Sequence, residues 1–454
     1  MTEGHEARPD DSGKGSIVTS VAVIGAGITG VTTAYKLLAQ GLDVTLFDRN
    51  GYSAMETSFA NGGQLSASNA EVWNNPATFI KGLKWMLRKD APLLVHPAPT
   101  WHKLSWMFEF VMAARSYEEN TVATVKLAIA ARRHLLEMAE EEGIDFDCEK
   151  RGILHVYETE AEFGHALKVN QLYKKGGLER DVLDDAGIHA VEPALAGTFR
   201  GGFFTPSDFT GDIHKYTRGL AEACLRRGGT IRYDADVTQL SKREEGGVAV
   251  FARRTGTQDE AAREDFDAVV VCAGIASRRF AHMLGDRVNI YPVKGYSITV
   301  NLEDEASRAG APTVSLLDDK AKIVTSRLGP NRLRIAGTAE FAGENRDIRM
   351  ARIKPLVDWC RYRFPGVSTS SVVPWAGLRP MMPDMLPRVG RGKAEGVYYN
   401  TGHGHLGWTL SAITADTIAA EVAGDYAAPG VAVSGALKPV GTVRAEAERL
   451  TEAA

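Results

Sequence analysis

The sequence predicts an α/β fold (α+β overall) whose first elements alternate strand, helix and strand. Residues 20–25 form a short apolar run rich in β-branched residues, which is typical of a parallel strand buried on both faces. The next stretch carries apolar side chains at helical spacing, and Gly41 stands where a helix C-cap glycine belongs. Residues 43–47 form a second apolar strand. These three observations in register predict a βαβ unit, the building block of a parallel sheet.

Length and composition are those of a globular protein with more than one domain. The chain has 454 residues, which fits roughly two or three domain-sized units. Hydrophobic residues make up 44% and charged residues 24%, and the formal net charge is -4. This balance gives no reason to expect a nucleic-acid partner.

The cysteine pattern and the N-terminus favour a reducing compartment. Cys148, Cys224, Cys272 and Cys360 are far apart and form no CxxC pair, so we expect neither a metal site nor a redox dithiol. Residues 1–18 are polar, lack the pattern of a secretory signal and are predicted to be a disordered tail. No apolar run reaches the ~18–20 residues that cross a bilayer. We therefore expect a cytoplasmic protein, or one that touches a membrane only at its surface.

The turn between the first strand and the first helix carries the spacing G-x-G-x-x-G. Gly25 permits the tight turn, Gly27 lets the backbone approach a pyrophosphate, and Gly30 lets the helix pack closely on the strand. The free N–H groups of the helix N-terminus attract phosphate. Asp48, which ends the second strand, is suited to accept hydrogen bonds from ribose hydroxyls. The predicted dinucleotide-binding residues here are Ile24, Gly25, Ala26, Gly27, Ile28, Gly30, Asp48 and Arg49.

The glycine spacing alone does not separate NAD from FAD, but three later segments do. Residues 56–65 form a polar loop with paired glycines, and a buried strand at 267–272 ends in a small-residue turn. A strand at 396–401 runs into a glycine-rich turn and a helix, whose N-terminus can face the negative charge that develops on a flavin. With the strand at 230–240, these segments add the predicted cofactor contacts Thr57, Ser58, Asn61, Gln64, Leu65, Val237, Ala273, Gly274, Gly402, His405, Leu406, Gly407 and Thr409.

The remaining segments predict a second part built on strands. Alternation of β-branched residues indicates strands at 288–302, 321–326 and 332–338. The other predicted elements are helices at 212–227 and 346–364, and a strand at 248–253.

Together these motifs resemble the D-amino acid dehydrogenase small-subunit group, within the D-amino acid oxidase/glycine oxidase superfamily. The most specific stretches are VAVIGAGITGV, ETSFANGGQLS, YPVKGYSITV, WAGLRPMMPDMLPRVG and NTGHGHLGWT. The resemblance implies a Rossmann-like FAD-binding domain and a substrate domain with an antiparallel sheet over the flavin. It assigns residues 19–75, 200–287 and 366–430 to the first domain, 76–199 and 288–365 to the second, and 431–454 to a C-terminal tail.

The resemblance also implies a reaction, the oxidation of a D-amino acid to an imino acid that water hydrolyses to a 2-oxo acid and ammonia. It implies hydride transfer from the α carbon to flavin N5, with electrons passed to a quinone-type acceptor rather than to oxygen. Arg379 stands where the relatives carry the arginine that binds the substrate carboxylate, and a planar guanidinium suits that role. Lys294 and Tyr296 lie on a strand expected to pass the flavin, where Tyr296 either bonds the substrate or packs. His403 and His405 are expected to be structural or flavin-adjacent rather than a base.

The sequence leaves the class of substrate open. Some relatives carry a tyrosine where this chain has Ala321, so the side-chain preference can differ, and a secondary amine or glycine-type substrate such as proline, hydroxyproline or sarcosine stays open. A third hypothesis is a non-catalytic FAD-binding subunit, against which Arg379 and both glycine turns argue. No cysteine or histidine stands where a flavin tether is expected, so we predict non-covalent FAD.

An aromatic and basic stretch at 73–110 raises the question of membrane contact. It contains Trp73, Trp85, Trp101 and Trp106, with lysines and arginines between them. Such a helix can lie in a membrane interface, on the cytoplasmic face of the inner membrane, and there meet a quinone. The alternative is an ordinary helical part of the substrate domain with aromatic residues in its core. The stretch is too short to span.

Overall fold

The fold is built around two large sheets, one mainly parallel and one mainly antiparallel. The computed structural model describes residues 19–75, 93–96 and 99–426. The predicted tails at 1–18 and 431–454 therefore lie outside the described residues, as does the part of the aromatic stretch that includes Trp85. None of the helices in the described ranges combines the length and the apolar content that a membrane span requires.

The first sheet has six strands drawn from three distant stretches of the chain. In order across the sheet they are β19 (Arg388–Arg391), β20 (Val397–Thr401), β13 (Ala268–Val271), β1 (Ser20–Ile24), β2 (Asp43–Phe47) and β9 (Thr230–Arg232). Neighbouring strands are parallel except for β19, which runs antiparallel beside β20. The central strand β1 is buried on both faces, with Val21, Ala22 and Val23 fully inaccessible. This burial explains its apolar, β-branched sequence.

Helices cover one face of this sheet. They are α1 (Ile28–Ala39), α3 (Tyr117–Glu142), α6 (Ile213–Arg226) and α10 (Gly407–Tyr426). Their apolar side chains form one core with β1 and β2, in which α1 packs against α6 and α10. Gly41 follows α1 with a φ of 79°, the left-handed conformation that its predicted C-cap position requires.

The second sheet has nine strands and is antiparallel except for two pairings. Its strands in order are β18 (Val372–Met381), β14 (Tyr291–Asn301), β17 (Arg332–Phe341), β16 (Ile323–Arg327), β15 (Ser315–Asp318), β5 (Ile153–Tyr157), β7 (Gly201–Thr205) and β6 (Asp181–Leu183), with β4 (Leu93–Val95) beside β17. The β15–β5 and β17–β4 pairs are parallel. Helix α9 (Met350–Arg363) packs on β14 and β17 over a second apolar core.

Smaller elements complete the described chain. A three-stranded antiparallel sheet contains β10 (Ala235–Lys242), β11 (Val248–Arg254) and β12 (Ala262–Phe266), and β3 (Gln64–Leu65) pairs with β8 (Phe209–Thr210). The remaining helices are α2 (Trp101–Met112), α4 (Glu160–Lys175), α5 (Asp185–Val191), α7 (Ser277–Met283) and α8 (Glu305–Gly310).

The structure differs from the sequence prediction in two places. The strand predicted at 230–240 is two strands, β9 and β10, because Asp234 has a φ of 52° and turns the chain from the parallel sheet into the three-stranded one. Strands β7 and β18 were placed in the FAD-binding stretches, yet they pair with β5 and β14 of the nine-stranded sheet. Such pairing depends on hydrogen bonds between residues far apart in sequence, which local patterns do not contain.

Candidate active site

A cavity of about 630 Å³ lies between the two large sheets. Ile24, Phe47 and Cys272, at the carboxyl ends of β1, β2 and β13, line one side of it. Gly295 of β14 and Ala336 of β17 line another. Ligands in open α/β sheets bind outside the carboxyl ends of the parallel strands, so this cavity stands where the βαβ unit predicts a site.

The glycine turn before α1 opens onto the cavity. Gly25 has a φ of 106°, and a Cβ there would lie 2.8 Å from the carbonyl oxygen of Cys272. Gly30 packs against the turn, since a Cβ there would lie 1.7 Å from the carbonyl oxygen of Gly25. At Gly27 a Cβ would meet only Ser58 Oγ, at 3.5 Å, and would otherwise project into the cavity. Ile28 N–H donates to the same Ser58 Oγ at 3.0 Å.

Asp48 holds the turn from the end of β2. Its Oδ2 accepts a hydrogen bond from Ala26 N–H at 2.6 Å, and its Oδ1 accepts one from Asn50 N–H at 2.8 Å. Burial raises the pKa of the Asp48 carboxyl, and these hydrogen bonds oppose the rise. Arg49 lines the cavity beside it and forms an ion pair with Glu56.

Most of the predicted cofactor residues line this one cavity. They are Ile24, Gly25, Gly27, Ile28, Asp48, Arg49, Thr57, Ser58, Asn61, Gln64, Val237, Ala273, Gly274, Gly402, His405, Leu406, Gly407 and Thr409. Ala26, Gly30 and Leu65 are not among the lining residues. Ala26 and Gly30 shape the turn through the contacts described above, and Leu65 is fully buried in the first core.

The residues of the cavity fit a flavin dinucleotide. The backbone at Gly27 and at Gly274 is open, because a Cβ at Gly274 would meet no atom within 4 Å apart from its chain neighbours. Side-chain-free backbone of this kind admits phosphates and a flat ring at close range. The turn before α10, from Gly402 to Gly407, lines the cavity as well and brings a helix N-terminus to it.

Two histidines in that turn are neutral near neutral pH. His403 is buried, its Nε2 lies 3.0 Å from Thr414 Oγ1, and burial lowers its pKa to about 3. His405 stacks on Trp73 with ring centroids 4.7 Å apart, and its Nε2 donates to the carbonyl oxygen of Asn69 at 3.1 Å. Burial lowers the pKa of His405 to about 4. Both rings are therefore weak bases held in place by hydrogen bonds.

Arg379 is a half-buried cation that faces the cavity from β18. Its guanidinium lies over Gly295, where a Cβ would stand 2.5 Å from the guanidinium carbon and both terminal nitrogens. Its Nη1 reaches the carbonyl oxygen of Thr338 at 3.4 Å, and no carboxylate of the described residues forms an ion pair with it. Desolvation lowers the pKa of Arg379 to about 10, so it stays charged. A charge in this position requires an anionic partner.

The strand beside Arg379 is locally strained. Thr338 has a φ of 59°, which is unusual for a β-branched residue, and the pairing of β14 with β17 shifts register between Lys294 and Tyr296. Strain of this kind is typical of ligand sites. Here it presents the Thr338 carbonyl to the arginine fork.

Lys294 and Tyr296 have different positions from those predicted. Lys294 is fully buried, does not line the cavity, and donates to Asn345 Oδ1 at 2.7 Å. The prediction that Lys294 lies near the flavin is therefore wrong. Lys294 and Gly295 are neighbours in β14, so they face opposite sides of the sheet, and only Gly295 faces the cavity. Tyr296 contacts the cavity, but its hydroxyl donates to Glu340 Oε2 at 2.8 Å. Ala321 is also absent from the cavity wall, whereas its neighbour Lys322 is part of it.

The sequence did not predict one wall of the cavity. Its residues come from β5, from α4, from the start of β6 and from the loop after β3, and they include His155, Tyr157, Tyr173, Arg180 and Glu71. No motif joins them, and each is an ordinary core or surface residue when considered alone. Only the fold brings them together.

A dinucleotide turn, a helix N-terminus that follows a glycine-rich turn and an arginine without a carboxylate partner among the described residues surround one cavity. This arrangement is the one expected of a flavin-dependent oxidoreductase. The family model described as DAO, FAD dependent oxidoreductase, matches residues 20–421. The chain belongs to this family, its cofactor is FAD, and the resemblance predicted from the motifs is confirmed.

Curated relatives cover nearly the whole described chain. D-amino acid dehydrogenase 3 of Mesorhizobium japonicum is 61% identical over 405 residues, which are 89% of this chain and 97% of the relative. D-amino acid dehydrogenase of Paramagnetospirillum magneticum is 41% identical over 415 residues, 89% of this chain and 95% of the relative. Glycine oxidase from Geobacillus kaustophilus has a similar structure, with a TM-score of 0.70 over 93% of this chain and 100% of that chain. At 19% identity, that likeness shows the shared fold alone.

Proposed function

We propose that this protein oxidises D-amino acids to 2-oxo acids and ammonia, by hydride transfer from the α carbon to flavin N5. The observation that carries the proposal is Arg379, a half-buried guanidinium that faces the cavity and forms no ion pair with a carboxylate of the described residues. The D-amino acid specificity is supported by the names of relatives that share 61% and 41% of their aligned residues with this chain. We propose a quinone-type molecule as electron acceptor.

Arg379 gives the substrate its orientation. Its planar fork binds a carboxylate through two parallel hydrogen bonds, and the glycine at position 295 leaves room for that plane against β14. Bound FAD supplies the two-electron acceptor for the hydride. When the carboxylate is fixed at one point, contacts with the rest of the cavity wall determine the direction of the α C–H bond. The site would thus accelerate the reaction through proximity and orientation.

Among the described side chains, His403, His405 and Tyr296 are poorly suited to act as a base for the substrate amine. His403 and His405 are both hydrogen-bonded and have pKa values lowered by burial to about 3 and about 4. The Tyr296 hydroxyl is committed to Glu340, and burial raises its pKa to about 12. We infer that the amino group enters in its neutral form, so that its lone pair assists loss of the hydride.

The test is anaerobic mixing of the holoenzyme with D-alanine, L-alanine, sarcosine and hydroxyproline, followed by flavin absorbance. We expect D-alanine to bleach the flavin and L-alanine to leave it unchanged. Bleaching by sarcosine or hydroxyproline alone would favour the secondary-amine alternative, and bleaching by none of them would favour a non-catalytic FAD-binding subunit. Reoxidation by a soluble quinone faster than by oxygen is the result expected for a dehydrogenase.

Helix α2 supports a contact with the membrane surface, where a quinone would be met. Its exposed residues are all apolar and follow a helical stripe, namely Trp101, Leu104, Phe108, Val111 and Met112. The other face packs inward through Trp106, whose Nε1 donates to the carbonyl oxygen of Met381 at 2.9 Å. An exposed apolar stripe on a helix that follows a basic sequence segment, residues 81–89, fits an interface with anionic lipid.

This contact is tested by flotation with vesicles that contain phosphatidylglycerol. We expect the wild-type holoenzyme to float with them and the double variant Trp101→Ser, Phe108→Ser to stay in solution, since these side chains are 84% and 67% exposed. Met350→Ser, Tyr362→Ser is the matched control, because α9 exposes those residues by 65% and 62%. Equal flotation of all three proteins would remove the stripe from the proposal.

A further inference from the structure

The wall of the cavity that the sequence did not predict contains a second guanidinium, which is buried. Arg180 stands directly before β6, is 7% exposed and lines the cavity. Its Nε donates to Thr205 Oγ1 at 3.2 Å, while Nη2 has no hydrogen-bond partner among the described residues. No carboxylate of the described ranges forms an ion pair with it. A buried cation in this state lacks an anion.

Aromatic rings fix the plane of this guanidinium. The Arg180 guanidinium carbon lies 4.4 Å from the ring centroid of Phe203 and 5.2 Å from that of Tyr173. Stacking on ring faces stabilises a cation and restricts its rotation, but it does not use the in-plane N–H donors, of which those on Nη2 have no partner among the described residues. Arg180 is therefore a preorganised donor fork rather than a mobile side chain.

The other charged groups of this wall have hydrogen-bond or ion-pair partners. Lys322 pairs with Asp319 at 2.5 Å. Glu71 accepts a hydrogen bond from Tyr117 Oη at 2.6 Å, and its carboxylate lies 3.5 Å from His165 Nε2. Arg180 differs from these groups because no carboxylate of the described residues lies within ion-pair distance of it, although Glu71 lies in the same wall.

The wall is close to Arg379 and is separate from the phosphate-binding turn. Arg180, Glu71 and Arg379 all line the same cavity, and the charges of Glu71 and Arg379 both influence the pKa of His405. The phosphate-binding turn consists of Gly25, Gly27 and Ser58 instead. Neither β5, α4 nor β6, which carry the wall, contributes to that turn.

We propose that Arg180 binds a carboxylate at the end of the substrate side chain, and that this enzyme accepts acidic D-amino acids. The inference rests on the proposed function and deepens it, because Arg379 would hold the α-carboxylate while Arg180 holds the distal one. An acidic side chain is the substrate feature that supplies the missing anion. Burial makes the pairing selective, since a neutral side chain leaves the guanidinium unsatisfied.

Kinetics of anaerobic flavin reduction test this assignment. We expect the wild-type holoenzyme to oxidise D-alanine and at least one of D-aspartate and D-glutamate. In Arg180→Met, kcat/KM should fall at least 30-fold more for the acidic substrate than for D-alanine, and Arg180→Lys should recover part of the difference. The matched control Lys320→Met removes a cation that pairs with Glu158 and does not line the cavity, so its acid-to-alanine ratio should change less than threefold. Equal losses for both substrates in Arg180→Met, or oxidation of D-alanine without either acid in the wild type, would overturn the proposal.

A binding measurement separates this inference from the proposed reaction. Glutarate has two carboxylates and no amine to oxidise, whereas butyrate has one carboxylate and similar length. Titration of each into the holoenzyme, followed by perturbation of the flavin spectrum, gives two dissociation constants. We expect Arg180→Met to weaken glutarate at least 30-fold more than butyrate. This result would support the anion site even if D-alanine failed as a substrate, and equal weakening of the two ligands would refute it.

Discussion

Arg379 shows how two residues on neighbouring strands make one binding group. β18 and β14 pair so that Arg379 stands opposite Val293, and its side chain then crosses Gly295. Any side chain at position 295 would occupy the space of the guanidinium. The arginine supplies the charge, and the glycine leaves the flat surface on which the guanidinium lies, so the proposed carboxylate clamp depends on both residues.

Replacing Arg379 by methionine should abolish efficient turnover and leave FAD bound. Loss of one partner of a desolvated, hydrogen-bonded ion pair costs on the order of 2–5 kcal/mol, so we expect kcat/KM for the amino acid to fall by roughly 30- to 4,000-fold. Arg379→Lys keeps the charge but not the planar fork, and an intermediate value is expected. Stopped-flow reduction gives the rates and visible absorbance gives the FAD content. Full activity in Arg379→Met would exclude the clamp.

Site residues that lie in a sequence motif could be predicted, whereas those outside any motif could not. Arg379 lies in a specific stretch, WAGLRP, and its position beside the cavity follows the prediction. Lys294 lies in an equally specific stretch but on the face of β14 opposite Gly295, which a motif does not reveal. Arg180 belongs to no motif, and its isolation from carboxylates depends on three elements that meet only in the folded chain.

The three glycines of the turn before α1 are needed for different structural reasons. Gly25 needs its positive φ, and Gly30 tolerates no Cβ because the backbone of Gly25 occupies the space. Gly27 has a φ of -74°, which any residue adopts, and its only near neighbour is Ser58 Oγ. Gly25 and Gly30 are therefore required for the fold, whereas we expect Gly27 to be required for binding of the cofactor.

Gly27→Val should consequently fold and fail to retain FAD. The valine side chain fits the backbone conformation but projects where the cofactor phosphates approach the N-terminus of α1. The ratio of FAD to protein after purification is the measurement, and thermal unfolding followed by circular dichroism reports folding. Gly164→Val in α4 is the control, because a Cβ there meets no atom within 4 Å outside its own helix. A fully yellow Gly27→Val protein would contradict the assignment.

Element types were predictable from periodicity, but their boundaries and partners were less so. The strands at 288–302 and 332–338 and the helix at 346–364 correspond to β14, β17 and α9. The single strand predicted at 230–240 divides at Asp234, where one left-handed residue redirects the chain. A one-residue change of backbone direction leaves almost no trace in apolar spacing.

Strands of the two large sheets alternate along the sequence, so neither sheet comes from one continuous segment. Three distant stretches of sequence form the parallel sheet. β7 and β18 lie close to those stretches in sequence, but they belong to the antiparallel sheet. The cavity lies between the two sheets, and strands of both sheets line it. A division of the sequence into consecutive blocks therefore predicts both sheets and misplaces strands at their borders.

Buried neutral histidines tie the stability of this assembly to pH. The pKa of His403 falls from 6.5 to about 3 in the folded protein, so the unfolded chain binds a proton that the folded one excludes between those values. Stability is then unaffected by His403 above pH 6.5 and is lost progressively as the pH falls toward 3. His405, with a pKa of about 4, acts in the same direction.

His403→Gln should reduce this acid sensitivity. Glutamine can retain a hydrogen bond with Thr414 Oγ1 but does not titrate, so between pH 6 and 4 the slope of the unfolding free energy against pH should decrease by about 1.4 kcal/mol per pH unit. Urea unfolding at several pH values with saturating FAD measures the two slopes, and the carboxylates shared by both proteins cancel in their difference. Any constant offset from altered packing appears equally at pH 7 and 8 and leaves the slope untouched. Parallel curves for the two proteins from pH 7 to pH 4 would mean that His403 takes up its proton in the folded state, and that the turn before α10 is open to water.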